Sequence, residues 1–208
     1  MILIGQYDSS FVRRCAIAMR LYEIGFEHKP WSTFGDADQF RHFNPLTRVP
    51  TLVLDDGDVL NDSYSIIDYI DSIAPHGKLL MPKLQPERHR VMAVMSLATG
   101  LADKVVSLFY EKVLHDQPSE AYMARCRAQI GHTMAVLEKD RSGRFEEFWF
   151  GDRMTHADIA VACTMQHLTA SHPDIAAAKV TPALDAHCAK MEAMPVFKEI
   201  FQPFIPPA

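Results

Sequence analysis

The sequence predicts an α+β first half in the order β-α-β-α-β-β-α, a mixed four-stranded sheet with helices on its faces, followed by an all-α second half. Three observations lead there. Up to His76, short apolar runs alternate with stretches of helical period. Residues 44–63, NPLTRVPTLVLDDGDVLNDS, read as a β-hairpin whose second strand feeds directly into a helix. From Glu87 onward helical patterns recur and no convincing strand is found.

Residues 2–6 form the first short apolar run, read as a buried strand. Ser9 and Ser10 offer N-caps for a helix in which Val12, Cys15, Ala16 and Met19 share one face. Gly25 stands where a glycine ends such a helix. Residues 26–31 alternate as a second strand, with Pro30 marking an edge or an end. Residues 36–43 suggest a short helix. Residues 51–54 and 59–60 flank the acidic turn Asp55-Asp56-Gly57-Asp58, which makes the hairpin. Asp62 and Ser63 then cap a helix with the apolar stripe Ile66, Ile67, Ile70 and Ile73, which Pro75 ends. Residues 77–86, GKLLMPKLQP, carry two prolines and a glycine and read as a linker. Helical patterns cover about 87–113, 119–139, 155–170 and 182–193, with a short one near 196–202 and an extended proline-rich tail at 203–207. The expected division is therefore 1–76, a linker at 77–86, and 87–208.

Composition narrows the function. The 208 residues are 48% hydrophobic and 23% charged, values of a globular protein with a real core. The net charge of −5 has no basic block to set against it, so neither nucleic acid nor an anionic membrane is an expected partner. Cys15, Cys126, Cys163 and Cys188 are widely spaced, with no CxxC and no zinc spacing, and read as free thiols in a reducing compartment. The ten histidines form no ligand pattern, so no metal is expected and the histidines should be satisfied or exposed. Met1-Ile2-Leu3-Ile4 is too short for a signal peptide, and no apolar run is read as membrane-spanning, which makes the cytoplasm the expected location.

Two local motifs go further. In the second half, Thr155 and Asp158 make a capping box with Asp in the third position, and Met154 and Ile159 can staple it. This is expected to orient a core helix and to contribute about 1 kcal/mol or more. In the first half, a loop ending in Pro50, a hairpin and the acid-plus-serine helix start at Asp62-Ser63 together suggest a site for a small, peptide-like, charged ligand.

Four stretches carry a resemblance over nearly the whole chain: DSSFVRR after the first strand, NPLTRVPTL, LNDSYSI, and GDRMTHADIAVA. In this order and spacing the chain resembles a cytosolic glutathione S-transferase. The resemblance implies a thioredoxin-like first domain, an all-α second domain and a homodimer. DSSFVRR is similar to the serine-type bacterial and plant branch, whose pattern is closer to TSPFVRK; here Ser10 replaces the proline. Glutathione, the implied cosubstrate, has a thiol that is only a few per cent ionised at neutral pH. Lowering its pKa by two units needs about 2.7 kcal/mol of thiolate stabilisation. A hydroxyl at a helix N-terminus is a source of it. Ser9 matches the family's catalytic serine, Ser10 and Tyr7 are the alternatives, and Cys15 reads as core.

The resemblance further implies a cis Val49-Pro50 bond, with the Val49 main chain pairing with the cysteinyl unit. Ser63 and the amides beside it would hold the γ-glutamyl carboxylate, Asp62 the ammonium and Arg48 the glycine carboxylate. In this fold the electrophile pocket lies between the domains; Phe11, Leu101, Val105 and Phe109 are the candidates to line it, and Phe201 and Phe204 to cover it. The implied partner is a small hydrophobic electrophile. Conjugation, isomerisation, peroxide reduction and dehalogenation all start from the same thiolate. A noncatalytic scaffold or a carrier of apolar ligands is the alternative class.

Overall fold

The computed structural model describes residues 1–75 and 77–206. The expected boundary at His76 and Pro207 of the tail lie outside the described residues. The chain forms two compact units, residues 1–82 with the stretch from Met194 onward, and Lys83–Ala193.

The first unit begins with β1 (Ile2–Ile4), α1 (Ser10–Leu21) and β2 (Glu27–Lys29). It continues through α2 (Ala37–Arg41), β3 (Thr51–Val53), β4 (Val59–Asn61) and α3 (Ser63–Ile73). The sheet order is β2-β1-β3-β4. β1 runs parallel to β2 and antiparallel to β3, which pairs antiparallel with β4. Leu3 lies opposite both His28 and Leu52, and Leu52 opposite Leu60. The expected β-α-β-α-β-β-α order and mixed sheet are therefore present. The core is most of the predicted apolar set: Leu3, Ile4, Val12, Cys15, Ala16, Met19, Leu52, Ile66 and Ile70 are all fully buried, while Ile73, the last residue of the α3 stripe, is 46% exposed at the helix end. Periodicity and burial agree because one face of each helix must cover the sheet.

Gly5 links β1 to the turn before α1. Its φ is +130°, and a Cβ there would lie 2.6 Å from Val12 Cγ2 and 2.9 Å from Val49 Cγ1. Only glycine fits, on both conformational and steric grounds.

The C-terminal end departs from the expected division. α9 (Pro195–Glu199) groups with the first unit rather than with the helices that precede it in sequence. Arg13, 2% exposed, explains why. Its Nε donates to Ile200 O at 2.7 Å and its Nη2 to Phe197 O at 2.8 Å, and its guanidinium lies over the rings of Phe197 and Phe201. A buried guanidinium needs acceptors, and the last turn of α9 supplies them.

The second unit is helical: α4 (Glu87–Leu114), α5 (Glu120–Ser142), α6 (His156–Ser171), α7 (Pro173–Ala177) and α8 (Pro182–Ala193). α6 is buried along most of its length and packs on α4 and α8, while α5 covers α4 and α8. The short α7, with Pro173 at its first position, is an addition to the predicted helices. α4 also corrects an expectation. By length and composition it could cross a membrane, with an 18-residue window of mean hydropathy 1.5, yet half of that window is buried. An apolar helix sandwiched between α5 and α6 has this character because its solvent is protein on two sides.

The capping box is formed. The Asp158 side chain, fully buried, accepts from Thr155 N (2.7 Å), Thr155 Oγ1 (2.8 Å) and Trp149 N (2.7 Å). His187 corrects another expectation, since neither ring nitrogen of this buried histidine has a hydrogen-bond partner among the described residues. Its ring meets the Trp149 indole edge-on at 5.2 Å, with Nε2 3.7 Å from Asp158 Oδ1. Burial holds the His187 imidazole below its ordinary value, and the Asp158 charge only partly opposes this. Burial also lowers His172, whose Nε2 meets Val105 O at 3.1 Å.

The unfolded imidazoles titrate near about 6.5. The unfolded chain therefore binds protons that the folded one resists, and stability is complete above that pH and lost as pH falls below it. The thermal midpoint is expected to drop between pH 7 and pH 5, with a shallower slope in His187→Gln. Identical slopes for variant and wild type would count against His187.

All four cysteines are free thiols, three buried and Cys188 half-buried. Burial pushes the Cys188 thiol far above its ordinary value. A cavity of about 380 Å³ on the helical unit is lined by Ser107, Tyr110, Glu111, His115, Ser119 and Tyr122.

Candidate functional site

The turn from Gly5 to Ser9 delivers the first candidate. Ser9 is the N-cap of α1, with extended backbone (φ −71°, ψ 120°), and its carbonyl accepts from Arg13 N at 2.9 Å. Its half-buried hydroxyl makes no capping bond. Ser10, one residue later, is 3% exposed, and its Oγ has no hydrogen-bond partner among the described residues. The sequence favours Ser9 by resemblance and keeps Ser10 as an alternative, since both can cap a helix. In the fold one hydroxyl is accessible and uncommitted, and the other is enclosed. Tyr7 stacks on His28 with ring centroids 3.8 Å apart, and burial raises its phenol above the ordinary value, so it stays a protonated donor. Cys15 is fully buried on α1, as expected of a core residue, with Sγ 3.8 Å from Ser63 O.

The second segment is the loop from Asn44 to Thr51. The Val49–Pro50 bond is cis. No described residue hydrogen-bonds the Val49 amide or carbonyl. Val49 packs against Gly5, which places this loop beside the turn that carries Ser9. Arg48 is exposed. Sequence reasoning passed over the residue that organises this loop. Asn44 is fully buried; its Nδ2 donates to Arg48 O (3.0 Å) and Thr51 Oγ1 (2.9 Å), and its Oδ1 accepts from Leu46 N (2.9 Å). The Asn44-Pro45 dipeptide, a turn signal, was the available clue.

The third segment is the start of α3. Asp62 Oδ1 accepts from Tyr64 N (2.8 Å) and Ser65 N (3.0 Å), so the acid is a true N-cap. It is also exposed, and it adopts φ +63°, ψ 157°, a conformation that costs a non-glycine residue of order 1–3 kcal/mol. Strain of this kind gathers at ligand sites. Ser63 is 3% exposed, and the Arg14 guanidinium of α1 lies 4.7 Å from the Tyr64 ring centroid. The Ser9 turn, the Val49 loop and the Asp62-Ser63 helix start thus share one unit and touch through Gly5, Cys15 and Arg14.

The apolar candidates fare differently. Phe11 is half-buried. Leu101 and Val105 are 1% and 0% exposed, so they shape the helical unit from within. Phe109 is half-buried, with its ring edge-on to His172 at 6.2 Å. Among the described residues no group of three His, Cys, Asp or Glu side chains could hold a metal ion.

Residues 3–79 match the glutathione S-transferase N-terminal domain, and residues 120–190 the glutathione S-transferase C-terminal domain. A GST-like protein of Escherichia coli, YibF, is 32% identical over 172 residues, covering 81% of this chain and 82% of its own. A probable maleylacetoacetate isomerase of Drosophila melanogaster is 25% identical, over 99% of this chain and 84% of its own. Among solved structures, a glutathione S-transferase of Methylobacterium radiotolerans in complex with glutathione sulfonate superposes with TM-score 0.87. It is 25% identical to this chain, and the match covers 100% of this chain and 98% of that one. Both domain models fall in order on the two units that the fold separates, and a relative of 32% identity spans 81% of the sequence: the chain belongs to the glutathione S-transferase family.

Proposed function

We propose that this protein binds glutathione on its first unit as a serine-type member of the family. Ser9 stabilises the thiolate for attack on a small hydrophobic electrophile. The observation that carries this is the Ser9 hydroxyl, placed at the N-cap of a twelve-residue helix yet making no capping bond. A hydroxyl so placed donates to an anion with the helix dipole behind it. The solved relative with glutathione sulfonate supports the ligand. Asp62 offers its exposed carboxylate to the γ-glutamyl ammonium, and Ser63 with the first turn of α3 receives the γ-glutamyl carboxylate. The Val49 main chain pairs with the cysteinyl unit, and Arg48 meets the glycine carboxylate. Phe11 offers half-buried aromatic surface on the first unit and Phe109 on the helical unit, where Leu101 and Val105 are core.

In conjugation a bond forms between sulfur and carbon. A halide leaves with its electron pair, or an enone accepts the pair and takes a proton from water. Isomerisation is the second reading, favoured by the relative named an isomerase that matches 99% of this chain. There the thiolate adds to a conjugated cis double bond, the carbon–carbon bond rotates, and expulsion of the thiolate regenerates glutathione. Incubation with an aryl halide and with a cis-enone separates the two. Loss of free thiol with a stable adduct means conjugation, and trans product with all thiol returned means isomerisation. Tight glutathione binding without turnover of either would replace both with a binding role. A homodimer belongs to the same reading, and a monomer by sedimentation at micromolar concentration would remove it.

A further inference from the structure

The geometry points to the C-terminal segment from Glu199 to Ile205 as a positioning strap for the turn that carries Ser9, with Gln202 and Asp8 as its clasps. This rests on the proposed role of Ser9. Gln202 Oε1 accepts from Tyr7 N at 3.1 Å, and Ile205 N donates to Asp8 Oδ2 at 3.1 Å. These two bonds reach across nearly the whole sequence to hold the two residues immediately before Ser9. On the far side of Ser9, Arg13 is bonded to Phe197 O and Ile200 O, and Arg20 pairs with Glu199 at 3.0 Å. The segment therefore grips the chain both before and after the serine.

Burial supplies a reason for the arrangement. The Tyr7 amide and the half-buried Asp8 carboxylate are polar groups that must be paired, and this segment supplies a partner to each. Ser9 is tied through its backbone, its N–H donating to Gln6 O at 3.2 Å and also meeting the Asp8 carboxylate. Its hydroxyl is thus placed by the path of residues 5–9. Shifting a donor by about 1 Å from a developing charge costs up to about a hundredfold in rate. Gln202 is accordingly a positioning residue, not a catalytic one.

The test uses the full chain with Gln202→Leu, which removes the acceptor, and Gln202→Glu, which keeps an acceptor oxygen. The readout is thiolate absorbance of bound glutathione as a function of pH, with glutathione affinity measured in parallel. Gln202→Leu is expected to raise the apparent pKa of the bound thiol and to lower the thiolate fraction at pH 7 about threefold to tenfold, with affinity changed less than about twofold. Gln202→Glu should behave as wild type. A wild-type thiolate titration in Gln202→Leu overturns the strap and leaves the role of Ser9 intact. No thiolate in the wild type overturns both. If Gln202→Leu fails to fold, amide exchange at Tyr7 decides: slow exchange in wild type and Gln202→Glu supports the strap, and rapid exchange in wild type overturns it.

Discussion

Ser9→Ala is expected to abolish most of the thiolate signal of bound glutathione at neutral pH and to lower kcat/KM by about a hundredfold. That is the usual cost of removing one donor aimed at a developing anion. Without the hydroxyl, the bound thiol returns toward about 8.5, where only a few per cent is ionised at pH 7. Glutathione affinity should change little, because Arg48, Val49, Asp62 and Ser63 hold the rest of the tripeptide in the proposed complex. Ser10→Ala is the matched control. Its hydroxyl is enclosed and has no partner among the described residues, so removing it should leave the thiolate signal intact. The thermal midpoint should hold or rise slightly, since an unsatisfied buried hydroxyl costs about 1–3 kcal/mol. A thiolate signal that survives in Ser9→Ala and vanishes in Ser10→Ala would reverse the assignment.

Asp158→Ala is expected to destabilise the protein by about 3–5 kcal/mol, well beyond the loss of a cap. Three donors depend on this one fully buried carboxylate: the Thr155 amide, the Thr155 hydroxyl and the Trp149 amide. Two of them are main-chain groups that would be left without a partner in the interior. His187 would also lose the negative charge 3.7 Å from its Nε2. For a chain of this size the midpoint should fall by about 6–20 °C. Asp158→Asn, which keeps an acceptor, should lose less. A midpoint within about 2 °C of wild type in Asp158→Ala would show that α6 is oriented by packing alone.

Much of this was legible in the sequence, for a local reason. The stripe Ile66, Ile67, Ile70 reports a helix because a 3.6-residue period puts those side chains on one face, whatever that face meets. Thr155 and Asp158 report a helix start because both halves of the cap lie within four residues. The acidic turn at 55–58 reports a hairpin because its two flanks are separated by the turn alone, and Leu54 N bonds Asp58 O across it. The glutathione-site candidates were legible only as a set of residue types in a recognisable order.

What the sequence by itself determined, then, is the order of strands and helices, the apolar faces, the caps and the family. These follow from periodicity and short-range hydrogen bonding, in which each residue's partners lie a few positions away. The tertiary structure alone decided which hydroxyl is accessible at the start of α1, since Ser9 and Ser10 differ in burial and not in kind. It alone set Asn44 as the pin of the Val49 loop and left His187 against Trp149 with no hydrogen bond to any described residue. It alone returned the chain after Met194 to the first unit, through Arg13, Gln202 and Ile205. Those outcomes depend on which distant groups compete for the same buried space and the same donors, and no local pattern encodes that competition.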